Sequence, residues 1–406
     1  MSDDGGLSPA GLDRMRRVLT GFVESGELPG LVALVQRRGR THVIEAGSLE
    51  AGGADPMRRD ALFRIASLTK PVTAVAAMIL VEECRLRLDD PLHDLLPELA
   101  DRRVLRRPGG PVDDTVPAER PITLRDALTF TLGYGLMFTP EGLPPITQAM
   151  MDAGVDNGPD GPACAPDEWL KRLGTLPLAH QPGAGWLYNT GADVAGVAIA
   201  RASGRPLEEF LRERIFEPLG MRDTGFTIPA AQTGRLAASY ATDPGTGALA
   251  RRPDPRDGAY DRPPVFPAGS GGPGLVSTVD DYRAFLRMLL DGGRYPGGRY
   301  PGGRLLSRPS VELMTTDRLT PEQKAGAGTF LGSGGWGFCL GVDGRRDDLF
   351  VRPGRFGWTG GLGTSAYADP GEDMIGVIFT QRAMTSPQPP HYFQDFWTTA
   401  YAAIDD

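Results

Sequence analysis

A serine and a lysine three residues apart form the first pair in this chain with the spacing for chemistry. Ser67 and Lys70 lie in the apolar stretch "FRIASLTKPV", and Pro71 stands near the start of the helical run that follows. Proline is tolerated in the first turn of a helix, and residues three apart share a helical face. The Ser67 hydroxyl and the Lys70 amine can therefore approach each other, which is the arrangement of a nucleophile and its base.

The choice of lysine at position 70 stands out against the composition. The 406 residues contain 43 lysines and arginines, and the only lysines are Lys70, Lys171 and Lys324. A serine hydroxyl needs a nearby base, and an amine serves if apolar neighbours and the positive end of a helix keep it uncharged. Arginine cannot serve, because its guanidinium does not deprotonate in proteins. The spacing alone also fits a serine helix cap followed by an exposed lysine.

Two later segments carry groups that would complete such a site. Tyr188, in "PGAGWLYNTGADVAG", follows a Pro-Gly turn and precedes a helix, so its hydroxyl can relay protons to a leaving group. The stretch "RFGWTGGLGTSAYADP" ends a strand with glycines, which allow the backbone to approach a ligand closely. A backbone N–H there can join the N–H of Ser67 in an oxyanion hole. Taken singly, these segments also fit a core tyrosine and an ordinary tight turn.

Composition narrows the possible partners. The formal charge is −8 and no basic face stands out, which argues against nucleic acid. No apolar run approaches 18 residues and the first residues lack a signal-peptide core, so we expect a cytoplasmic protein without a membrane partner. The three cysteines are far apart and the four histidines scattered, which predicts no metal, no cofactor and no Ser-His-Asp triad.

Strand and helix signals gather at both ends of the chain. "LPGLVALVQRRGRTHVIEAG" predicts a hairpin with a tight Arg-Gly turn, and strands followed by a last helix fill the final hundred residues. Helical signals dominate between them, and Ser277 is expected to cap one helix near their end. We therefore predict a mixed α/β (α+β) fold with an antiparallel sheet flanked by helices. Residues 1–84 and 266–406 would form the sheet domain, and residues 85–265 an inserted, mainly helical domain.

These motifs, in this order, resemble the serine β-lactamase and penicillin-binding-protein fold. The similarity is greatest to its class C branch and to the family VIII carboxylesterases, and the quoted stretches with "ITLRDALTFTLGYG" and "EPLGMRDTGF" carry it across about residues 30 to 400. The resemblance implies that Ser67 is the nucleophile and that Lys70 and Tyr188 are the base and proton relay. It also implies that the backbone amides of Ser67 and Gly361 form the oxyanion hole, in a cleft between the two domains.

Two departures from the β-lactamase pattern bear on the substrate. Thr190 stands where the tyrosine motif usually has asparagine, and Trp358 replaces the lysine of the late Lys-Thr-Gly motif. An indole carries no charge and offers a single N–H donor, so the site loses a cation and gains a flat apolar wall. We expect Trp358, Thr359, Gly360 and Thr190 to contact the substrate. Tyr134 would line the acyl pocket or pack in the core.

The sequence thus predicts a serine carboxylesterase that cleaves a small-molecule ester through an acyl-enzyme. Alternatives on the same fold are an acyltransferase or transesterase, a D-amino-acid peptidase or amidase, and a weak β-lactamase. A non-catalytic binding protein is disfavoured by the complete set of Ser67, Lys70 and Tyr188. The oligomeric state is not indicated by any pattern in the chain.

Overall fold

The computed structural model describes most of the chain. The described ranges are residues 4–137, 142–155, 164–252, 274–296 and 303–406. Their strands are β1 (Gly30–Arg37), β2 (Arg40–Gly47), β3 (Phe63–Arg64), β4 (Arg103–Leu105), β5 (Thr115–Pro117), β6 (Tyr240–Thr242), β7 (Leu249–Arg251), β8 (Val276–Ser277), β9 (Gly335–Trp336), β10 (Gly341–Val342), β11 (Phe356–Gly360), β12 (Thr364–Asp369) and β13 (Met374–Thr380).

Helices surround these strands and fill the middle of the chain. They are α1 (Pro9–Glu24), α2 (Thr69–Glu82), α3 (Leu124–Thr129), α4 (Pro145–Asp152), α5 (Pro166–Gly174), α6 (Thr190–Ser203), α7 (Leu207–Leu211), α8 (Glu217–Leu219), α9 (Val279–Leu290), α10 (Arg308–Met314), α11 (Pro321–Lys324), α12 (Gly328–Leu331) and α13 (His391–Tyr401). Within the described ranges, no helix has both the length and the apolar character needed to cross a membrane.

Strands from the two ends of the chain meet in one antiparallel sheet. Its seven strands run in the order β2-β1-β13-β12-β11-β10-β9. Strand β1 pairs with β13 from Leu31 opposite Thr380 to Arg37 opposite Met374. The turn between β1 and β2 is formed by Arg38 (φ 47°) and Gly39 (φ 80°). Two left-handed residues are what a two-residue hairpin needs, so the predicted Arg-Gly turn is confirmed.

Side chains alternate along the strands and give the sheet two buried faces. On one face, Leu31 and Ile378 join a cluster that includes Met15 of α1 and Phe396 of α13. On the other, Val32, Phe379 and their neighbours join the larger core with α2 and α9. Helix α2 is buried continuously from Thr69 to Leu80. The predicted mixed α/β fold, with helices flanking an antiparallel sheet, is therefore confirmed.

Two local predictions have different outcomes. Ser277 is not the cap of α9: the side chain of Thr278 accepts the hydrogen bond from the Asp281 amide, and Ser277 is the last residue of β8. The cap lies one residue later because β8 pairs with β3 and keeps Ser277 extended. The division into residues 1–84 with 266–406 and an insertion at 85–265 stays a prediction, and its second boundary lies outside the described residues.

Candidate active site

Ser67 stands on a tight turn between β3 and α2. A 3₁₀ turn spans Ala66–Leu68, and α2 begins at Thr69. Tyr282 of α9 donates its hydroxyl hydrogen to the carbonyl of Leu68 at 2.8 Å, which ties the turn to the core. Ala66 has a φ of 46°, in the left-handed region that residues with a side chain rarely adopt. Such backbone persists where the surroundings enforce it, and it often marks functional sites.

Lys70 lies on the same face as Ser67, as the spacing predicts. Its Nζ is 3.0 Å from Ser67 Oγ, and the lysine side chain is fully buried. The same Nζ lies 4.6 Å from the centre of the Tyr188 ring. The structure therefore brings together all three residues that the sequence assigned to catalysis, with the Lys70 amine close to both the Ser67 hydroxyl and the Tyr188 ring.

Tyr188 is held by its backbone and by its hydroxyl. Its carbonyl accepts the Leu136 amide at 2.9 Å, immediately before α6 begins. The next residue, Asn189, has a φ of 94° and a ψ of −73°, a rare and strained conformation. The indole N–H of Trp358, on β11, donates to the Tyr188 hydroxyl oxygen at 2.6 Å. With that oxygen already accepting a hydrogen bond, the phenolic proton is left to point elsewhere in the site.

Aromatic rings surround Tyr188 on several sides. We call this group the aromatic cluster: Phe130, Trp186, Phe330, Trp336 and Trp358. Phe330 stacks on Tyr188 with ring centres 4.4 Å apart, and the Trp336 and Trp358 rings meet edge to face at 4.6 Å. Aromatic pairs in these geometries contribute about 0.5–1.5 kcal/mol beyond the area they bury. The cluster thus fixes both the ring of Tyr188 and the indole that hydrogen-bonds it.

The end of β11 lies against the turn that carries Ser67. A Cβ at Gly360 would stand 2.3 Å from the carbonyl oxygen of Ile65, so only glycine fits there. Thr364 Oγ1 donates to the same Ile65 oxygen at 3.1 Å and fixes this approach. Gly361 follows directly, and its carbonyl accepts the Met384 amide at 2.8 Å. The pairing of the Ser67 and Gly361 amides in an oxyanion hole stays a prediction, which this close approach favours.

The predicted substrate contacts fall in different environments. Thr359 is half-buried and lines a cavity beside the site, whereas Thr190 is buried in the first turn of α6. Tyr134 is buried and donates its hydroxyl hydrogen to the Leu176 carbonyl at 2.8 Å, which suits the core-packing alternative. The Trp358 N–H, which the sequence offered to a substrate, is directed to Tyr188. Substrate binding by these residues stays a prediction.

The Cys339 thiol is buried within electrostatic range of Lys70 and Asp193. Burial raises the pKa of the Cys339 thiol well above its usual range, and the nearby Asp193 carboxylate adds to this shift. Asp193 lies in the first turn of α6 and is 2% exposed. The buried Cys339 thiol therefore stays protonated close to Lys70.

Sequence reasoning missed the part of the site formed by Phe330 and Trp336. Both are separated from Tyr188 by well over a hundred residues, and no periodic pattern joins them to it. The one available signal was composition: three of the five tryptophans, Trp186, Trp336 and Trp358, lie in glycine-rich segments. Such segments allow large rings to pack closely against backbone.

Known proteins resemble this chain over most of its length. Protein Rv1367c of Mycobacterium tuberculosis is 41% identical over 381 residues, which cover 91% of this chain and 90% of that protein. Esterase EstB of Burkholderia gladioli is 36% identical, with 56% of this chain and 54% of EstB covered. Acyltransferase calJ of Penicillium decumbens is 32% identical, with 59% and 54% covered. Its relatives therefore include both hydrolases and acyl-transfer enzymes.

The fold also matches solved structures. EstCE1, described as a hydrolase with promiscuous acyltransferase activity, superposes with a TM-score of 0.77 at 24% identity, covering 97% of this chain and 99% of EstCE1. The model of the Beta-lactamase family matches residues 15–393, which include every residue of the site described above. The protein therefore belongs to the beta-lactamase family.

Proposed function

We propose that the protein is a serine esterase that cleaves uncharged carboxylic esters through an acyl-enzyme. The observation that carries the proposal is the 3.0 Å contact between Ser67 Oγ and Lys70 Nζ, with the Tyr188 ring directly beside the amine. The esterase among its relatives supports the same chemistry. Trp358 in place of a lysine leaves the late motif without a cation, which favours a neutral substrate.

In the first half-reaction, Ser67 Oγ forms a bond to the ester carbonyl carbon while its proton passes to the Lys70 amine. The carbonyl oxygen gains the negative charge, and the backbone amides of Ser67 and Gly361 are the donors assigned to it. A single donor of this kind contributes about 3 kcal/mol to the transition state. The carbon–oxygen bond to the alcohol then breaks, Tyr188 donates its proton to the leaving oxygen, and Lys70 restores the proton to Tyr188.

In the second half-reaction, water attacks the acyl-serine. The water proton passes to the Tyr188 oxygen while the phenolic proton moves to the Lys70 amine. The bond between the carbonyl carbon and Ser67 Oγ then breaks, and Lys70 returns the proton to Ser67, which releases the carboxylic acid. The Trp358 N–H remains on the Tyr188 oxygen at 2.6 Å and holds the phenol in one position through both halves. The same residues thus act as acid in one step and as base in the other.

The test is turnover of p-nitrophenyl acetate and butyrate by the wild type and by Ser67→Ala. We expect Ser67→Ala to lose all turnover above background, and intact-mass analysis of the wild type to detect one acyl group on Ser67. A variant as fast as the wild type would refute the proposal. Nitrocefin serves as the comparison substrate, and we expect it to be turned over far more slowly than the esters.

Acyl transfer is the second candidate, because an acyltransferase is also among the relatives. The acyl-enzyme is the same and only the acceptor differs: an alcohol or amine, in place of water, takes the acyl group from Ser67. Product analysis with p-nitrophenyl butyrate and increasing 1-butanol separates the two. A butyl ester as the main product at millimolar alcohol would favour transfer, and butyrate as the main product would favour hydrolysis.

A further inference from the structure

The direction of the Ser67 N–H is set by the residue before it. The Ala66 carbonyl accepts the Thr69 amide in the turn that leads into α2. Because the peptide between Ala66 and Ser67 is planar and trans, the Ser67 N–H points in the direction opposite to that carbonyl. Relative to the preceding chain, its direction therefore depends on the backbone dihedral angles of Ala66, whose φ is 46°.

Ala66 is held in a conformation that alanine does not favour. In the left-handed region the Cβ crowds the following carbonyl oxygen, so a residue with a side chain is less stable there than in the right-handed region. The methyl group is 1% exposed and packs with Leu362 and Ala383. A rotation of Ala66 to negative φ would relieve the strain and redirect the Ser67 N–H. Neighbouring groups must therefore oppose this rotation.

The peptide before Ala66 is held by two hydrogen bonds to the Ile65 carbonyl. One comes from the Leu68 amide at 3.1 Å and belongs to the turn itself. The other comes from outside the turn, from Thr364 Oγ1 at 3.1 Å. Thr364 is fully buried on β12, and it pairs with both neighbouring strands, β11 and β13. A hydroxyl on a rigid strand therefore fixes the carbonyl that precedes the strained residue.

Gly360 leaves the space for this hydrogen bond. A Cβ at Gly360 would stand 2.2 Å from Thr364 Oγ1 and 2.3 Å from the Ile65 carbonyl oxygen. Both atoms of the hydrogen bond would have to move if residue 360 had a side chain. The glycine of the late motif therefore serves the turn that carries Ser67, in addition to any contact with substrate.

We propose that Thr364 is a positioning residue for the oxyanion hole. Its hydroxyl holds the Ile65 carbonyl, the fixed peptide keeps Ala66 in the left-handed conformation, and that conformation directs the Ser67 N–H. This inference rests on the proposed function, in which the Ser67 amide is one of the two donors to the carbonyl oxygen of the ester. Thr364 is fully buried, so it acts through the turn and not on the substrate.

The first test compares two substitutions of Thr364. Thr364→Val removes the hydroxyl and keeps the shape, whereas Thr364→Ser keeps the hydroxyl. We expect Thr364→Val to lower kcat/KM for p-nitrophenyl butyrate about ten-fold, which corresponds to about 1.4 kcal/mol. Thr364→Ser should stay close to the wild type. Rates are expressed per enzyme that can be acylated on Ser67, counted by intact mass, so that a smaller folded fraction does not contribute.

A boronic acid distinguishes positioning from packing. 1-Butaneboronic acid forms a tetrahedral adduct with a serine hydroxyl, and one of its oxygens takes the place of the oxyanion. We expect its inhibition constant to rise in Thr364→Val by the same factor as kcat/KM falls. N-butylbutyramide, an unreactive analogue of the ester, should bind with nearly unchanged affinity. An unchanged inhibition constant for the boronic acid would overturn the inference.

Glycine at position 66 tests the conformational step. Glycine adopts positive φ without the strain that alanine bears, so it does not drive the rotation. In an Ala66→Gly background, the loss caused by Thr364→Val should therefore be smaller by about three-fold or more. A loss of the same size in both backgrounds would overturn the role assigned to Ala66, and with it the inference.

Thr399→Val is the matched control. Thr399 is also buried and donates its hydroxyl hydrogen to a backbone carbonyl, that of Asp395 at 2.6 Å, but it lies in α13 on the other face of the sheet. We expect this variant to lower the melting temperature and to leave kcat/KM close to that of the wild type. If Thr364→Val does not fold, Thr364→Ala is measured in its place, with the same expected loss.

The outcomes separate this inference from the proposed function. A wild type that cleaves the ester, with Thr364→Val equally fast or with Thr364→Ser equally impaired, would overturn the role of the hydroxyl and leave an esterase. A wild type that neither cleaves the ester nor gains an acyl group on Ser67 would refute the proposed function and the inference with it.

Discussion

Ser67 has two partners, and the molecule positions them in different ways. Lys70 is placed by one turn of backbone: three residues along the chain bring its Nζ to 3.0 Å from the hydroxyl. Tyr188 comes from the start of another helix and is fixed by Trp358 from β11 and by Phe330 from α12. The lysine side of the site depends on local geometry, and the tyrosine side depends on packing between distant segments.

This difference indicates how strongly substitutions on each side of the site should reduce activity. On the lysine side, one side chain supplies the whole function and no neighbour can replace it. On the tyrosine side, the position of the phenol is shared among a hydrogen bond and several ring contacts, each of modest free energy. We therefore expect abrupt loss on the first side and graded loss on the second.

The largest expected effect is from Lys70→Met, which keeps the length and apolar stem of the side chain and removes the amine. A positioned base contributes about 10²- to 10⁴-fold, so kcat/KM for p-nitrophenyl acetate should fall by that factor. Lys171→Met, at an exposed position of α5, is the matched control and should not change kcat/KM. A Lys70→Met variant with more than a tenth of wild-type activity would remove the lysine from the mechanism.

An intermediate effect is expected from Trp358→Phe, which keeps a ring in the cluster and removes the N–H on Tyr188. The lost hydrogen bond is worth about 0.5–1.5 kcal/mol, so kcat should fall about 3- to 10-fold. Trp336→Phe is the comparison, because among the described residues its indole nitrogen has no hydrogen-bond partner. It should lower thermal stability and leave kcat within two-fold. Equal losses of kcat in both variants would assign Trp358 to packing alone.

A smaller effect is expected from relaxing the backbone beside Tyr188. Asn189 adopts a strained conformation that glycine adopts freely, so Asn189→Gly should raise the free energy of unfolding by about 1 kcal/mol. It should also lower kcat about two-fold, because the phenol is less firmly placed. Cys84→Gly, at another non-glycine residue of positive φ (57°), should stabilise without changing kcat. Melting curves and steady-state rates measure both effects.

The smallest expected effect concerns the access of water and reagents to the buried side chains near Lys70. Because burial raises the pKa of Cys339, this thiol should stay protonated and unreactive toward a disulfide reagent at pH 8. Cys84 is exposed and should react within minutes. Each cysteine that reacts releases one thiolate from the reagent. Comparing the amount released by the wild type, Cys84→Ser and Cys339→Ser shows which cysteine has reacted. Fast reaction of Cys339 in the folded protein would mean that water reaches the lysine side.

From the sequence, the position of Lys70 relative to Ser67 could be predicted almost completely, whereas the surroundings of Tyr188 could be predicted only in outline. The proline after Lys70 and the three-residue spacing are enough to predict a shared helical face. Tyr188 could be named because its segment resembles a known motif. The hydrogen bond from Trp358 could not be predicted, because it depends on how β11 and α6 meet across the core. The same limit explains why the prediction that Ser277 caps α9 was wrong. Thr278 is the cap, because the pairing of β8 with β3 keeps Ser277 in the strand.

The fold was predictable for a related reason. The apolar runs of β1 and β13 and the Arg-Gly turn between β1 and β2 are local signals that the sequence shows directly. Strands β9 and β10 have two residues each, and such short edge strands have no periodicity to detect. Trp336, in β9, belongs to the aromatic cluster, so the part of the site that surrounds the phenol is also the part that the sequence describes least.

The pairing of β1 with β13 has a consequence for newly made protein. During synthesis, Ser67 and Lys70 leave the ribosome long before β11 to β13, which follow them much later in the chain. Until they arrive, the phenol lacks its indole donor and the first hairpin lacks its neighbour in the sheet. In the proposed mechanism, a nascent chain therefore carries its nucleophile without the means to use it, and acylation should begin only after β11 to β13 have joined the sheet.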